Sequence, residues 1–182
     1  MNNIDISKLV DDFKNRKIHK RLSLKILVTI PDNEIEQAIV DYVNTKLTNP
    51  RSMLSDFSNM SSGFQILFST WVLEGEVNNG GFNQFFFNSS GQLADLALLS
   101  LKKLSAAKHY EVLEKAIAIH VQEKESCPLK KLYSMRTLKA FLASYKYSSL
   151  DKCDEEFNKL ENSLSELRIQ YIRAHPDEFI GN

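Results

Sequence analysis

A chain of 182 residues with 43% hydrophobic content can bury a core of ordinary domain size, which excludes a disordered segment and a disulfide-dependent miniprotein. Its 23 Lys and Arg balance 23 Asp and Glu, so the whole protein is neither a polyanion nor a general nucleic-acid binder.

The predicted elements are helical nearly throughout. Ile4, Leu9, Val10 and Phe13 predict a short amphipathic helix, and Leu22, Leu24, Ile26, Leu27 and Val28 form an apolar run readable as helix or strand. Residues 1–30 read as an N-terminal helical extension on one all-α domain, 31–182. Pro31-Asp32 opens a clearer helix, with Asp32 as N-cap, a stripe through Ile35, Ala38, Ile39, Tyr42, Val43 and Leu47, and a stop at Asn49-Pro50. Ser61 or Ser62 caps the next, whose broad apolar face carries Phe64, Leu67, Phe68, Trp71 and Val72.

That helix runs into Asn78-Asn79-Gly80-Gly81 and then Phe82 and Phe85-Phe86-Phe87. Glycine tolerates positive φ and asparagine the left-handed region, so the quartet predicts a helix stop and tight reversal that aims the aromatics back at the preceding helix. Helical spacing before the turn argues against a β-hairpin. The amides of Asn78, Asn79, Asn83, Gln84 and Asn88 either tie this turn to its surroundings or present a binding surface.

Further helices are predicted on Leu93, Leu96, Ala97, Leu101 and Leu104, then on Tyr110, Leu113, Ala116, Ile117 and Val121, and, after a break at Ser126 to Pro128, on Leu132, Met135, Leu138, Phe141 and Leu142. Leu150, Cys153, Phe157, Leu160, Leu164, Leu167, Tyr171 and Ala174 alternate spacings of three and four, predicting one long C-terminal helix ended by His175-Pro176. Such a seam packs inside the chain or against a second copy, leaving monomer or homodimer open. The fold class is all-α, a single-domain multi-helix bundle.

Chemistry-bearing patterns are sparse. Glu74 and Glu76 point to different helix faces and cannot flank one substrate bond. Gly80-Gly81 is followed by no Lys-Ser/Thr of a phosphate loop. His109 and His120 lie three turns apart, too far for one metal ion, and Cys127 and Cys153 lack Cys-x-x-Cys spacing. No metal, no cofactor and no catalytic residue are expected. Cysteine usage suits a reducing compartment, no apolar run approaches membrane-spanning length, and Met1 to Asp5 lacks a secretory pattern, so a cytoplasmic protein without membrane contact is expected.

The segment Glu74, Glu76, Val77, Asn78, Asn79, Gly80, Gly81, Phe82, Gln84, Phe85, Phe86, Asn88, Ser89, Ser90 and Gly91 closely resembles the signature of a bacterial domain-of-unknown-function family that includes a DNA-mimic protein. Leu150-Asp151, Phe157, Leu160-Glu161, Leu164, Leu167, Tyr171-Ile172, Ala174-His175-Pro176 and Phe179 resemble its C-terminus. The resemblance spans roughly Pro31 to Phe179 and implies an all-α fold. It also implies a protein partner, a DNA-binding protein inhibited through carboxylates spaced like phosphates.

Such carboxylates would come from the acidic block between Asp32 and Asp95, or from Asp151, Asp154, Glu155, Glu156, Glu161 and Glu166. The basic segment 102–146 gives a rival reading, direct nucleic-acid binding through Lys102, Lys103, Lys108, Lys115, Lys124, Lys130, Lys131, Arg136 and Lys139. An enzyme with a pocket beside residues 74–91 is the other rival.

Overall fold

The helical periodicities resolve, in a computed structural model describing residues 6–47, 53–161 and 163–181, into eleven α-helices among the described residues. They are α1 (Ile6–Lys14), α2 (Leu24–Thr29), α3 (Asp32–Lys46), α4 (Met53–Ser58), α5 (Ser62–Phe87), α6 (Ala94–Lys103), α7 (Ala107–Glu123), α8 (Cys127–Met135), α9 (Leu138–Ser144), α10 (Asp151–Asn158) and α11 (Leu164–Ala174). Three 3-10 turns interrupt them, and the only β pairing among the described residues is an antiparallel bridge between Leu22 and Gly181. The expected contributions of Ile4 and of the Asn49-Pro50 stop lie outside the described residues.

The 26-residue α5 is central because it is apolar on almost every side, as a helix surrounded by others must be. On one side Leu73, Val77, Phe82 and Phe85 pack with Ala97, Leu101, Leu113, Ala116, Cys153, Phe157 and Leu164. On the other, Phe64, Leu67 and Phe68 meet Ile35, Ile39, Val43, Ile172 and Phe179. Tyr171 packs against both clusters.

The ambiguous Leu22 to Val28 run becomes the bridge residue Leu22 and the short helix α2, whose N-cap is Ser23. Arg173 of α11 donates to the carbonyls of Leu27 and Ile30 (2.8 and 2.6 Å), meeting otherwise orphaned acceptors at the end of α2. Arg16 makes a two-pronged contact with the buried Asp41 carboxylate (2.6 and 2.7 Å), which ties the segment after α1 to α3.

Two local expectations are corrected. Asp32 is the first helical residue of α3 rather than its cap, and its carboxylate instead accepts from Arg173. The long C-terminal helix is divided into α10 and α11. Ser163 starts a new helix there by accepting from the Glu166 N–H, an arrangement for which Ser163-x-x-Glu166 is the sequence signal. The apolar seam survives the break, since Cys153, Phe157 and Leu164 are all buried in the first core cluster of the same chain.

Candidate functional site

The glycine pair divides α5 into two helical limbs. Only Gly80 (φ −158°, ψ 28°) and Gly81 (φ 70°, ψ −179°) leave helical geometry, so the expected helix stop takes the form of a two-residue kink with no loop between the limbs. The bend is sharp. Asn88 would lie about 18 Å along a straight helix from Glu76, beyond the reach of their side chains, yet the Asn88 amide donates to the Glu76 carboxylate at 2.9 Å.

The kink needs no loop because neighbouring side chains take over the interrupted backbone bonds. The Asp154 carboxylate of α10 accepts from the Phe82 N–H (2.7 Å), capping the second limb of α5 as an N-cap residue would. Burial pushes the Asp154 carboxyl above its ordinary range, while the Phe82 N–H and, in the opposite sense, the charge of Asp151 modify that shift. The Tyr145 hydroxyl donates to the Gly80 carbonyl (2.6 Å). Asn83, fully buried, donates its amide to the Ser144 hydroxyl (2.8 Å), which itself donates to the Phe141 carbonyl. An added Cβ on Gly81 would fall on the Asp154 carboxylate.

Beyond the bend the phenylalanines anchor separate neighbours. Phe82 meets Phe157 edge-on (5.6 Å between ring centroids), Phe86 stacks on His120 (4.1 Å), and Phe87 contacts Tyr133 and Phe141. Burial, reinforced by Lys124, pushes the His120 ring down to about 4.

The two signature carboxylates have different surroundings. Glu76 accepts from the Gln84 amide (2.6 Å), the Asn88 amide and the Ser90 hydroxyl (2.8 Å), while Asn79 donates to the Gln84 side-chain oxygen (3.1 Å). This network closes the inside of the bend. Glu74 pairs with Arg168 of α11, whose guanidinium also pairs with Glu36 of α3. Arg168 is only 2% exposed, so one buried cation joins three helices. Its Nη1 has no hydrogen-bond partner, and its charge together with burial holds the neighbouring His109 ring near 4, burial being the larger cause.

Among the expected site residues, the structure therefore brings together Glu76, Asn79, Gln84 and Asn88 in one network, and Gly81 and Phe82 with Asp154 in another, while Gly80 meets Tyr145. Phe85 is buried in the core, Gly91 packs beneath Phe86, and Asn78 and Ser89 are exposed. A shallow depression of about 330 Å³ lies at the signature, beside Trp71, Val72, Gly75, Glu76, Asn79 and Gln84. Its carboxylate is already engaged by three neutral donors. Among the described residues no three His, Cys, Asp or Glu side chains converge as a metal site would require.

The expected acidic surface is rearranged. Asp154 is half-buried and turned inward as the cap. Glu155 pairs with Lys159 one turn away (3.3 Å), Glu156 pairs with Lys115 of α7 (2.6 Å), and Glu161 is exposed. In the earlier acidic block, Asp32, Glu36, Asp41 and Glu74 pair with arginines and Glu76 holds the bend, while Asp32, Glu34 and Asp95 are exposed. Arg168, Ser90, Ser144 and Tyr145 were not expected in these networks. The available signal for Arg168 is its place midway between Leu164 and Ile172 on the buried i, i+4, i+8 stripe of α11.

The family model described as DMP19-like protein matches residues 58–175, well over half the chain and including the kink, the capping Asp154 and Arg168. No curated protein and no solved structure matches the chain. The chain belongs to the DMP19-like protein family.

Proposed function

We propose that this protein acts without catalysis, by binding another macromolecule, and that its partner is a DNA-binding protein whose basic groove it occupies in place of DNA. Family membership supports this reading, and one structural observation carries its geometry: five exposed carboxylates, Asp151, Glu155, Glu156, Glu161 and Glu166, follow one another along α10, the connecting segment and the start of α11. Asp151 and Glu155 stand one helical turn apart on the exposed side of α10, about 6 Å along its axis, followed by Glu156, Glu161 and Glu166.

A row of carboxylates can replace phosphates at a basic surface because both present compact negative charge to Lys and Arg. The pairs Glu155–Lys159 and Glu156–Lys115 are solvent-exposed, so their lysines can be displaced at small cost by a denser field of cations. The signature networks support a non-catalytic role, because Glu76 and Asp154 are engaged in holding the backbone bend.

The test is a partner complex recovered from native lysate with the tagged full chain. Its affinity is expected to fall steeply as salt rises, duplex DNA is expected to compete for the partner, and Asp151→Asn/Glu155→Gln/Glu161→Gln is expected to weaken the complex without changing the protein's melting temperature. A complex indifferent to salt and to DNA removes mimicry.

A further inference from the structure

The α8–α9 hairpin distributes its side chains the wrong way round for a helix that only covers a core. On α9 the small residues Ala140 (2% exposed) and Ser144 (0%) face inward, while Leu138 (73%) and Leu142 (62%), one turn apart, face water. Met135 at the end of α8 is also exposed. Phe141 is not part of this outer face, since its ring contacts Phe87 and Tyr145.

Charge distinguishes this face further. From Ser126 to Leu150 the sequence has Lys130, Lys131, Arg136, Lys139 and Lys146 and no Asp or Glu. Among the described residues, Lys130 alone of these five forms an ion pair, with Glu125 outside the run. Arg136 uses one guanidinium nitrogen on the Phe87 carbonyl (2.6 Å) and stays exposed.

We propose that the outer face of α8–α9, centred on Leu138 and Leu142, is a docking surface for an acidic amphipathic helix of another protein. Two leucines one turn apart offer the apolar contact that a helical partner meets with its own i, i+3, i+4 stripe, and the acid-free lysine and arginine rim complements carboxylates beside that stripe. An anionic lipid surface shares the charge requirement, but a membrane-seated helix carries Trp or Phe with its leucines, and here the one aromatic of α9 is turned to the core. Nucleic acid would call for several exposed stacking rings among the cations, where this run exposes one, Tyr147, against the aliphatic side chains of Leu138, Leu142 and Met135. The proposal is independent of the acidic α10–α11 reading.

The experiment selects peptides from a random display library on the full chain, then measures their binding to purified protein. Selected peptides are expected to be rich in Asp and Glu, with apolar residues at helical spacing. They should lose about tenfold or more in affinity against Leu138→Ser/Leu142→Ser and against Lys131→Glu/Lys139→Glu, both retaining the wild-type melting temperature. Peptides that lack acidic bias or bind the variants equally overturn the proposal. So does Leu138-dependent binding to vesicles of equal parts phosphatidylcholine and phosphatidylserine, or to single-stranded DNA, when no peptide is selected.

Discussion

Replacing Gly81 by alanine perturbs the kink through two separable effects. With φ at 70° and ψ at −179°, Gly81 occupies a backbone region that essentially only glycine adopts, and forcing another residue there costs about 1–3 kcal/mol. The new methyl group also falls on the Asp154 carboxylate, displacing the acceptor of the Phe82 N–H, and loss of such a cap costs about 0.5–2 kcal/mol. Together these give about 2–4 kcal/mol, a fall in melting temperature of about 5–15 °C for a chain of this size. Circular dichroism melts and urea titrations of wild type, Gly81→Ala, Asp154→Ala and the double variant check it. Because methyl and carboxylate collide, the double variant is expected to be more stable than the sum of the single losses implies. A Gly81→Ala protein melting within about 2 °C of wild type, or strict additivity, refutes the argument from backbone strain and displaced cap.

Arg168→Ala leaves Glu36 and Glu74 without their shared cation and is expected to cost about 3–5 kcal/mol in urea unfolding, whereas the exposed-pair variant Lys159→Ala should change stability by less than about 1 kcal/mol. Glu76→Ala strands the Gln84, Asn88 and Ser90 donors in a partly solvated site and is expected to cost about 1–2 kcal/mol, with Glu76→Gln recovering part of it. The His109 ring is depressed from 6.5 to about 4, first by burial and then by Arg168, so its folded pKa lies below its unfolded one. Its contribution is therefore fully present above pH 6.5 and lost as pH falls towards 4, by up to roughly 3 kcal/mol; His109→Gln should reduce the slope of the stability profile in that window, where His120 supplies a similar share, and an unchanged acid limb would refute the role of His109.

The fold class was legible because apolar spacing of three and four is a local property, and α3 and α6 follow their stripes closely, while the stripe of α7 is buried through Leu113 and Ala116 but leaves Val121 exposed. The glycine pair was legible as a departure from helix, but its form was not. The two limbs meet without a loop because Asp154 and Tyr145, more than sixty residues away, take the freed N–H and C=O. The division between α10 and α11 had a signal in Ser163-x-x-Glu166, masked by a seam that continues across it. Arg168 was hidden for a different reason: an arginine on an apolar stripe reads as a surface residue until Glu36 and Glu74 are placed against it. The acidic blocks were countable in sequence, whereas the arginine pairing that draws Glu36, Asp41 and Glu74 away from the surface depends on which helices meet.

The position of the signature inside the fold bears on what family membership carries with it. Asn79, Gly80, Gly81, Phe82, Gln84, Phe85 and Asn88 form the bend or its packing, and Glu74 and Glu76 hold that bend and α11 in place. Substitution at these positions acts first on stability, because buried polar groups and a glycine-only conformation leave little freedom. Exposed positions on α9, α10 and α11 obey no such constraint: exchanging Glu155 for Lys or Leu138 for Ser leaves the core and the kink untouched. One kink can therefore carry different charge patterns on the same helices, and under the proposed function partner choice belongs to those outer faces. In this neutral chain the acidic α10–α11 face and the basic, leucine-bearing α8–α9 face are two such patterns on one scaffold.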